Sequence, residues 1–200
     1  MSPGPAFERV YLALKRQLRE GTRPPGAPLE PSVIGDELGT SFTPVRDALH
    51  RLVGEDLVEN PKHNGFAVPR LSEQALRDLY GWNGEVIGLI AQKKRGATRP
   101  IILPAGATDR PPEIADIFLA IAEASSNREH ARAVAHLNDR LAPYRLAELN
   151  VLADTVGELA SLCDHAAGSR PSGLRMALTH YHRRRINAAP RILSLLLANA

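Results

Sequence analysis

The stretch Thr40-Ser41-Phe42-Thr43-Pro44-Val45-Arg46-Asp47-Ala48-Leu49-His50-Arg51-Leu52 decides the fold. Val45, Ala48, Leu49 and Leu52, continued by Val53, recur at intervals of three and four, the apolar stripe of an amphipathic helix. Ser41 and Thr43 carry hydroxyls able to accept a hydrogen bond from a first-turn N–H. Pro44 loses nothing there, because first-turn N–H groups have no helical partner. With the stripe turned inward, Phe42, Thr43, Arg46 and His50 form an outward row, and Gly54 stops the helix. A helix presented to a DNA major groove by its N-terminal end needs such a row, and Arg46 suits a guanine edge or a phosphate.

The flanking segments complete a motif. Upstream, Phe7, Val10, Tyr11, Leu14 and Leu18 place a helix over about 7–20, ended by Gly21 and the turn Arg23-Pro24-Pro25-Gly26. Pro28-Leu29-Glu30 reads as extended between prolines. Ser32 to Leu38 is a short second helix closed by Gly39. Downstream, the apolar runs Leu57-Val58-Glu59 and Gly65-Phe66-Ala67-Val68 flank Asn60-Pro61-Lys62-His63-Asn64, a polar turn whose Asn-Gly junction signals a hairpin. Three helices and a hairpin within seventy residues read as a helix-turn-helix with a wing.

Ser72 caps a fourth helix that runs to about Gln92. Gly81, Gly84 and Gly88 weaken it, yet glycines four apart also let another helix come close. Trp82 among them reads as core packing, ahead of a pocket lining or a dimer contact. Residues 94–112 are a Pro/Gly-rich connector, followed by helices at about 113–125, 128–141, 143–166, 171–186 and 190–199. The expected fold class is mainly α. A winged helix-turn-helix DNA-binding domain (1–71) precedes an all-helical domain (72–200) for effector binding or dimerisation.

Composition narrows the function. A hydrophobic share of 44% with only 4% aromatic residues means cores of Ala, Leu, Val and Ile, the mixture of helices packed on helices. Cys163 stands alone, so there is neither an intramolecular disulfide nor a cysteine zinc site, and a reduced cytoplasmic setting is expected. It reads as a buried small residue rather than a redox sensor. No signal-like apolar region or run of eighteen apolar residues is present, so no membrane partner is expected. The net charge of +3 is mild, and residues 1–70 hold nine Lys/Arg against nine Asp/Glu, so any basic footprint comes from geometry rather than totals. No Gly-rich phosphate loop, nucleophile elbow, paired-His zinc motif or triad emerges, which argues against an enzyme.

Residues 5–72 resemble the DNA-binding domain of the GntR family of bacterial transcription regulators. The resemblance is carried by Gly21, Pro25-Gly26, Leu29, Leu38-Gly39, Ser41, Pro44-Val45-Arg46, Ala48-Leu49, Leu52, Leu57-Val58, Gly65 and Val68. It implies a homodimer on a pseudo-palindromic double-stranded operator, with the third helix in the major groove and the wing tip near the minor groove. Arg46 then matches the DNA-contacting helix arginine, Ser41 and Thr43 match phosphate-contacting positions, and His50 extends the outward row. Lys62, His63, Asn64 and Gly65 fall at the wing tip. Phe42 and Ser32 stand where members of the family carry arginine, so each removes a possible contact; Phe42 can touch a thymine methyl instead.

The remainder resembles the FadR-like (FCD) branch with a shortened, degenerate effector domain, on the segments 120–127 (AIAEASSN) and 165–182 (HAAGSRPSGLRMALTHYH). In metal-binding members one Asp and three His hold a divalent cation that receives an acidic effector. Here the first His falls at Phe118 or Leu119 and the next at Glu158, and only His180 matches the last, with His182 two residues on. No metal cofactor is therefore expected. Glu158, His180, His182 and Arg184 are the candidate contacts to a small-molecule effector, although a solvated helix face with one or two buried edges is the stronger reading of the run from His180 to Arg185. The resulting expectation is a DNA-binding transcription regulator, read as a repressor that responds to a small molecule. The alternative is a winged-helix protein used for protein–protein assembly without effector sensing.

Overall fold

Val10 and Leu14 of α1 (Pro5–Arg19), Ile34 of α2 (Pro31–Leu38), and Val45, Leu49 and Leu52 of α3 (Phe42–Gly54) close on one another with Leu29, Leu57, Val58 and Val68 in one hydrophobic core. The computed structural model describes residues 4–61, 65–92, 101–103, 113–168 and 171–198. Pro5 and Pro31 stand in the first turns of α1 and α2, where a missing N–H costs nothing.

The wing is smaller than two strands. Among the described residues the expected hairpin reduces to one reciprocal pair, Glu59 with Ala67, each N–H to carbonyl distance being 2.9 Å. A third segment lies beside it: Leu29 donates to the Phe66 carbonyl (2.8 Å), Val68 to Ala27 (3.0 Å) and Gly26 to Val68 (2.8 Å). Pro28, Pro61 and Pro69 supply no N–H, which keeps the pairing from spreading.

The second half is a bundle of α4 (Glu73–Gln92), α5 (Ile114–Glu123), α6 (Arg128–Val151), α7 (Thr155–Ala167) and α8 (Pro171–Ala198). The Ser72 hydroxyl accepts from the Ala75 N–H at 3.2 Å, as expected of a cap. One apolar cluster joins Ile87, Phe118, Val134, Leu162 and Tyr181; a second joins Tyr80, Leu141, Tyr144 and Ile192. Most of the expected connector at 94–112 lies outside the described residues.

Three helix boundaries differ from the sequence reading. The expected breaks at residues 142 and 187–189 do not occur, because α6 runs through Pro143 and α8 through Pro190. Each proline forfeits a backbone bond and strains the preceding turn, at about 3 kcal/mol. Apolar side chains on both sides of it are buried, Leu141 and Tyr144 in α6 and Ala188, Ala189 and Ile192 in α8. A large buried apolar side chain contributes about 1.5–3 kcal/mol, enough in sum to keep the helices intact. The real interruption lies at Asp154, in the left-handed region at φ 53°, whose carboxylate accepts from the Gly157 N–H at 3.2 Å.

The two halves touch through α1 and α6. Lys15 Nζ sits 2.7 Å from Asp139 and 3.0 Å from Glu55, so it bridges α6 to the end of α3. Asp56 faces His136 at 3.5 Å and Arg140 at 3.7 Å. Burial alone would lower the Lys15 pKa, but its bonds to Asp139, Glu55 and Tyr11 prevail and hold it well above the usual lysine range. No described helix is long and apolar enough to cross a membrane.

Candidate nucleic-acid interface and the helical-domain cluster

The turn that delivers α3 depends on two glycines. Gly39 takes the left-handed conformation at φ 60°, and Thr40 then donates to the Gly35 carbonyl at 2.9 Å, closing α2. A Cβ on Gly35 would lie 2.9 Å from the Thr40 carbonyl oxygen, so the approach excludes a side chain. Ser41 occupies the N-cap position of α3 with extended backbone, yet its hydroxyl makes no capping bond. The expected cap from Ser41 or Thr43 is therefore absent, which leaves the first-turn N–H groups without a side-chain cap.

Ser41, Phe42, Thr43, Arg46 and His50 are all exposed on the outer side of α3, and Ser32 is exposed on α2. Two arginines on α3 differ in kind. Arg51 is occupied: it lies 3.3 Å from Glu55 and 3.9 Å from Glu8, with its guanidinium 4.0 Å over the Tyr11 ring. Arg46 makes no ion pair or hydrogen bond with any described residue. The His50 ring meets Phe66 edge-on at 5.0 Å, tying α3 to the wing. Gly65 is exposed at φ 89°, whereas Lys62, His63 and Asn64 lie outside the described residues.

In the helical half two of the four expected effector contacts, Glu158 and Arg184, come together, while His180 and His182 bond to neither. Glu158 is held by Arg184 at 2.9 Å and by Arg185, and Arg185 reaches on to Glu148 at 2.8 Å. The Tyr80 hydroxyl donates to the other Glu148 oxygen at 2.6 Å, so α4, α6, α7 and α8 are cross-linked by a buried charge network. His182 is buried, its Nδ1 2.7 Å from the Leu178 carbonyl and its Nε2 2.8 Å from the Asn83 amide. Burial lowers its pKa to about 4, against the backbone bond and with help from Arg145 and Arg185. His180 points to solvent.

A divalent cation does not fit these residues. Phe118, at one of the two positions expected for the first histidine, stacks on the His182 ring at 5.5 Å. Glu158 is ion-paired to an arginine at each oxygen, only Oε2 accepting a hydrogen bond, and both His182 nitrogens have partners. Among the described residues no three His, Cys, Asp or Glu converge as a metal site. Cys163 is partly buried, and burial, with Asp164 nearby, pushes its thiol pKa up, away from the thiolate a sensor needs.

Sequence reasoning missed Asn83, Asn138, Arg145 and Glu148, which build this interior together with Arg185, a residue named only within the run from His180 to Arg185. Their signal was a polar residue lying within the apolar stripe of its helix: Asn83 falls between Tyr80 and Ile87, and Glu148 follows the buried Ala147. Trp82 corrects the opposite expectation. It is 55% exposed on α4, beside an open groove that α4 forms with α8. Gly84 does meet a helix closely, since a Cβ there would sit 3.0 Å from the His182 ring.

Comparison with known proteins agrees with this geometry. Residues 6–68 match the family described as bacterial regulatory proteins, gntR family. The HTH-type transcriptional regulator McbR of Escherichia coli (strain K12) is 38% identical over 66 residues, covering 33% of this chain and 30% of that protein. A D-xylose utilization operon transcriptional repressor of Paenarthrobacter nicotinovorans, so described on likelihood, is 40% identical over 60 residues, 30% of this chain and 26% of its own. The matched stretch thus spans only about a third of the curated relatives it resembles. The fold likeness runs further: a GntR transcriptional regulator from Rhodococcus sp. RHA1 superimposes with a TM-score of 0.72 over 94% of this chain and 97% of its own, at 16% identity. Over residues 6–68 the chain is similar to the bacterial regulatory proteins of the gntR family, and a helical domain follows that stretch.

Proposed function

We propose that this protein is a transcription regulator that binds a pseudo-palindromic operator as a homodimer and represses until a small molecule occupies its helical domain. The observation that carries the reading is the pair of arginines on α3: Arg51 is tied into the core edge, whereas Arg46 stands exposed and without a partner in the outward row. In this reading residues 1–71 are the DNA-binding unit and 72–200 the effector and dimerisation unit. Arg46 contacts a base edge, and Ser32, Ser41, Thr43 and His50 line the backbone, with Phe42 against a thymine methyl. Lys62, His63, Asn64 and Gly65 are assigned to the wing tip.

The uncapped N-terminus of α3 supports a phosphate contact, since free first-turn N–H groups and the positive end of the helix dipole favour an anion. Two half-sites a helical turn apart need two readers, and the exposed Trp82 and Leu89 of α4 give a face for the second copy. The test is binding to the DNA upstream of its own gene and to random duplex across a salt series. Preference for the former, with affinity falling as salt rises, is the expected result. Equal binding to both sequences would remove the operator reading and favour the protein-assembly alternative.

A further inference from the structure

The two halves meet along one face of α6. His136, Asp139 and Arg140, three and four positions apart, fall on the same side of that helix. Opposite them stand Glu55 and Asp56, the two residues that follow α3. Lys15 couples Glu55 to Asp139, and Arg19 lies 3.6 Å from the same Asp139 carboxylate. Asp56 faces His136 Nε2 at 3.5 Å and Arg140 at 3.7 Å. Apolar packing across this seam is incomplete, since Leu18, Leu57, Leu79 and Tyr144 line a crevice of about 40 Å³. Polar contacts therefore carry part of the docking.

Asp56 holds an unusual backbone. Its φ of 54° puts a residue with a side chain in the left-handed region, a costly conformation that glycine would adopt freely. The residue present instead sends a carboxylate across to α6. The charged groups around His136 are Asp56 beyond α3, Arg132, Asp139 and Arg140 on α6 itself, and Lys15 and Arg19 on α1. Arg132 pairs with Glu129, while Lys15 and Arg19 spend their charge on Asp139, so Asp56 is left to Arg140 and His136. Among the described residues no charged group of α4, α5 or α8, the other helices packed on α6, lies within ion-pair distance of the ring.

We propose that His136 and Asp56 form a pH-operated latch between the two halves. Histidine is the side chain whose charge changes between about pH 5 and pH 8. With the ring neutral, Asp56 has one cation, Arg140. With the ring protonated, the 3.5 Å contact becomes an ion pair and binds the end of α3 more firmly to α6. Acidification thus docks the DNA-binding half against the helical half. The latch needs neither operator nor effector, so it stands or fails apart from the proposed function.

Trypsin cleavage of the full chain after the exposed Arg70 tests it, because Leu71, the next residue, lines the crevice between the docked halves. Where opening is fast relative to cleavage, the rate reads the undocked population. Each variant's rate is divided by the parent's at the same pH, which cancels the pH dependence of the protease. For His136→Gln the ratio should be about 1 near pH 8 and about 3 near pH 5.5, the scale of a solvent-exposed ion pair. His136→Lys, with its fixed charge, should be cleaved slowly at both. In an Asp56→Asn background, His136→Gln should change nothing at either pH. His182 acts in the opposite sense, since acid loosens the whole fold through it and speeds cleavage of parent and variant alike. A His136→Gln ratio equal at both pH values, an undiminished effect in Asp56→Asn, or a His136→Lys variant that keeps the parent's pH dependence would each overturn the latch.

Discussion

Arg46 and His182 are single residues whose surroundings give them opposite tasks. Arg46 has nothing to hold inside the protein, so Arg46→Ala should leave the melting temperature unchanged while costing about 1–3 kcal/mol of operator binding. Wild-type affinity in a DNA titration would show that α3 does not dock through this side chain. His182 is buried and neutral, with a folded-state pKa near 4 against about 6.5 when unfolded. Above pH 6.5 the ring is neutral in both states and stability is unaffected. Below it the unfolded chain takes up a proton that the folded chain refuses, so stability falls by about 3 kcal/mol by pH 4. Urea unfolding across that range, compared with His182→Gln, should show this loss in the parent only; identical pH profiles would mean that the ring titrates freely when folded.

At the scale of an element, the turn between α2 and α3 is set by backbone conformation more than by side-chain contacts. Gly39→Ala puts a side chain on a left-handed residue with open space around it, and should cost about 1–2 kcal/mol. Gly35→Ala meets a backbone oxygen at 2.9 Å, which cannot move without shifting the start of α3. It should cost about 1–3 kcal/mol of stability and weaken DNA binding as well. Chemical unfolding with a parallel DNA titration distinguishes the two glycines: loss of DNA binding in Gly39→Ala alone would contradict this account. The turn was legible in sequence because the Gly35 to Ser41 segment carries its own signals. The long helices α6 and α8 were not, since Pro143 and Pro190 announce breaks that tertiary burial overrides.

For the whole molecule, α6 is the element shared by both halves. Its Asp139 holds Lys15 of α1, and one to two turns on, Arg145 enters the interior of the bundle. Asp139→Asn weakens that connection and leaves Lys15 with Glu55. It should cost about 1 kcal/mol or less, given the partial exposure of the pair. Limited proteolysis should then cut faster between the two halves, with each half's own resistance unchanged; an unaltered cleavage rate would show that the apolar contacts around Leu18, Leu79 and Tyr144 hold the halves together unaided.

The sequence by itself determined the winged helix-turn-helix. Its apolar spacing, its glycines and its short turn are local signals, and local geometry suffices to place Arg46 outward. It determined that the second half is helical for the same reason. Only the tertiary structure decided what that half encloses. Asn83, Arg145, Glu148, Glu158, Tyr181, His182 and Arg185 come from four helices, separated by up to 102 positions along the chain. Which of them pair depends on distances that exist only once the helices pack. The same packing turned His182 inward and His180 outward, and exposed Trp82 at a face that the sequence read as core.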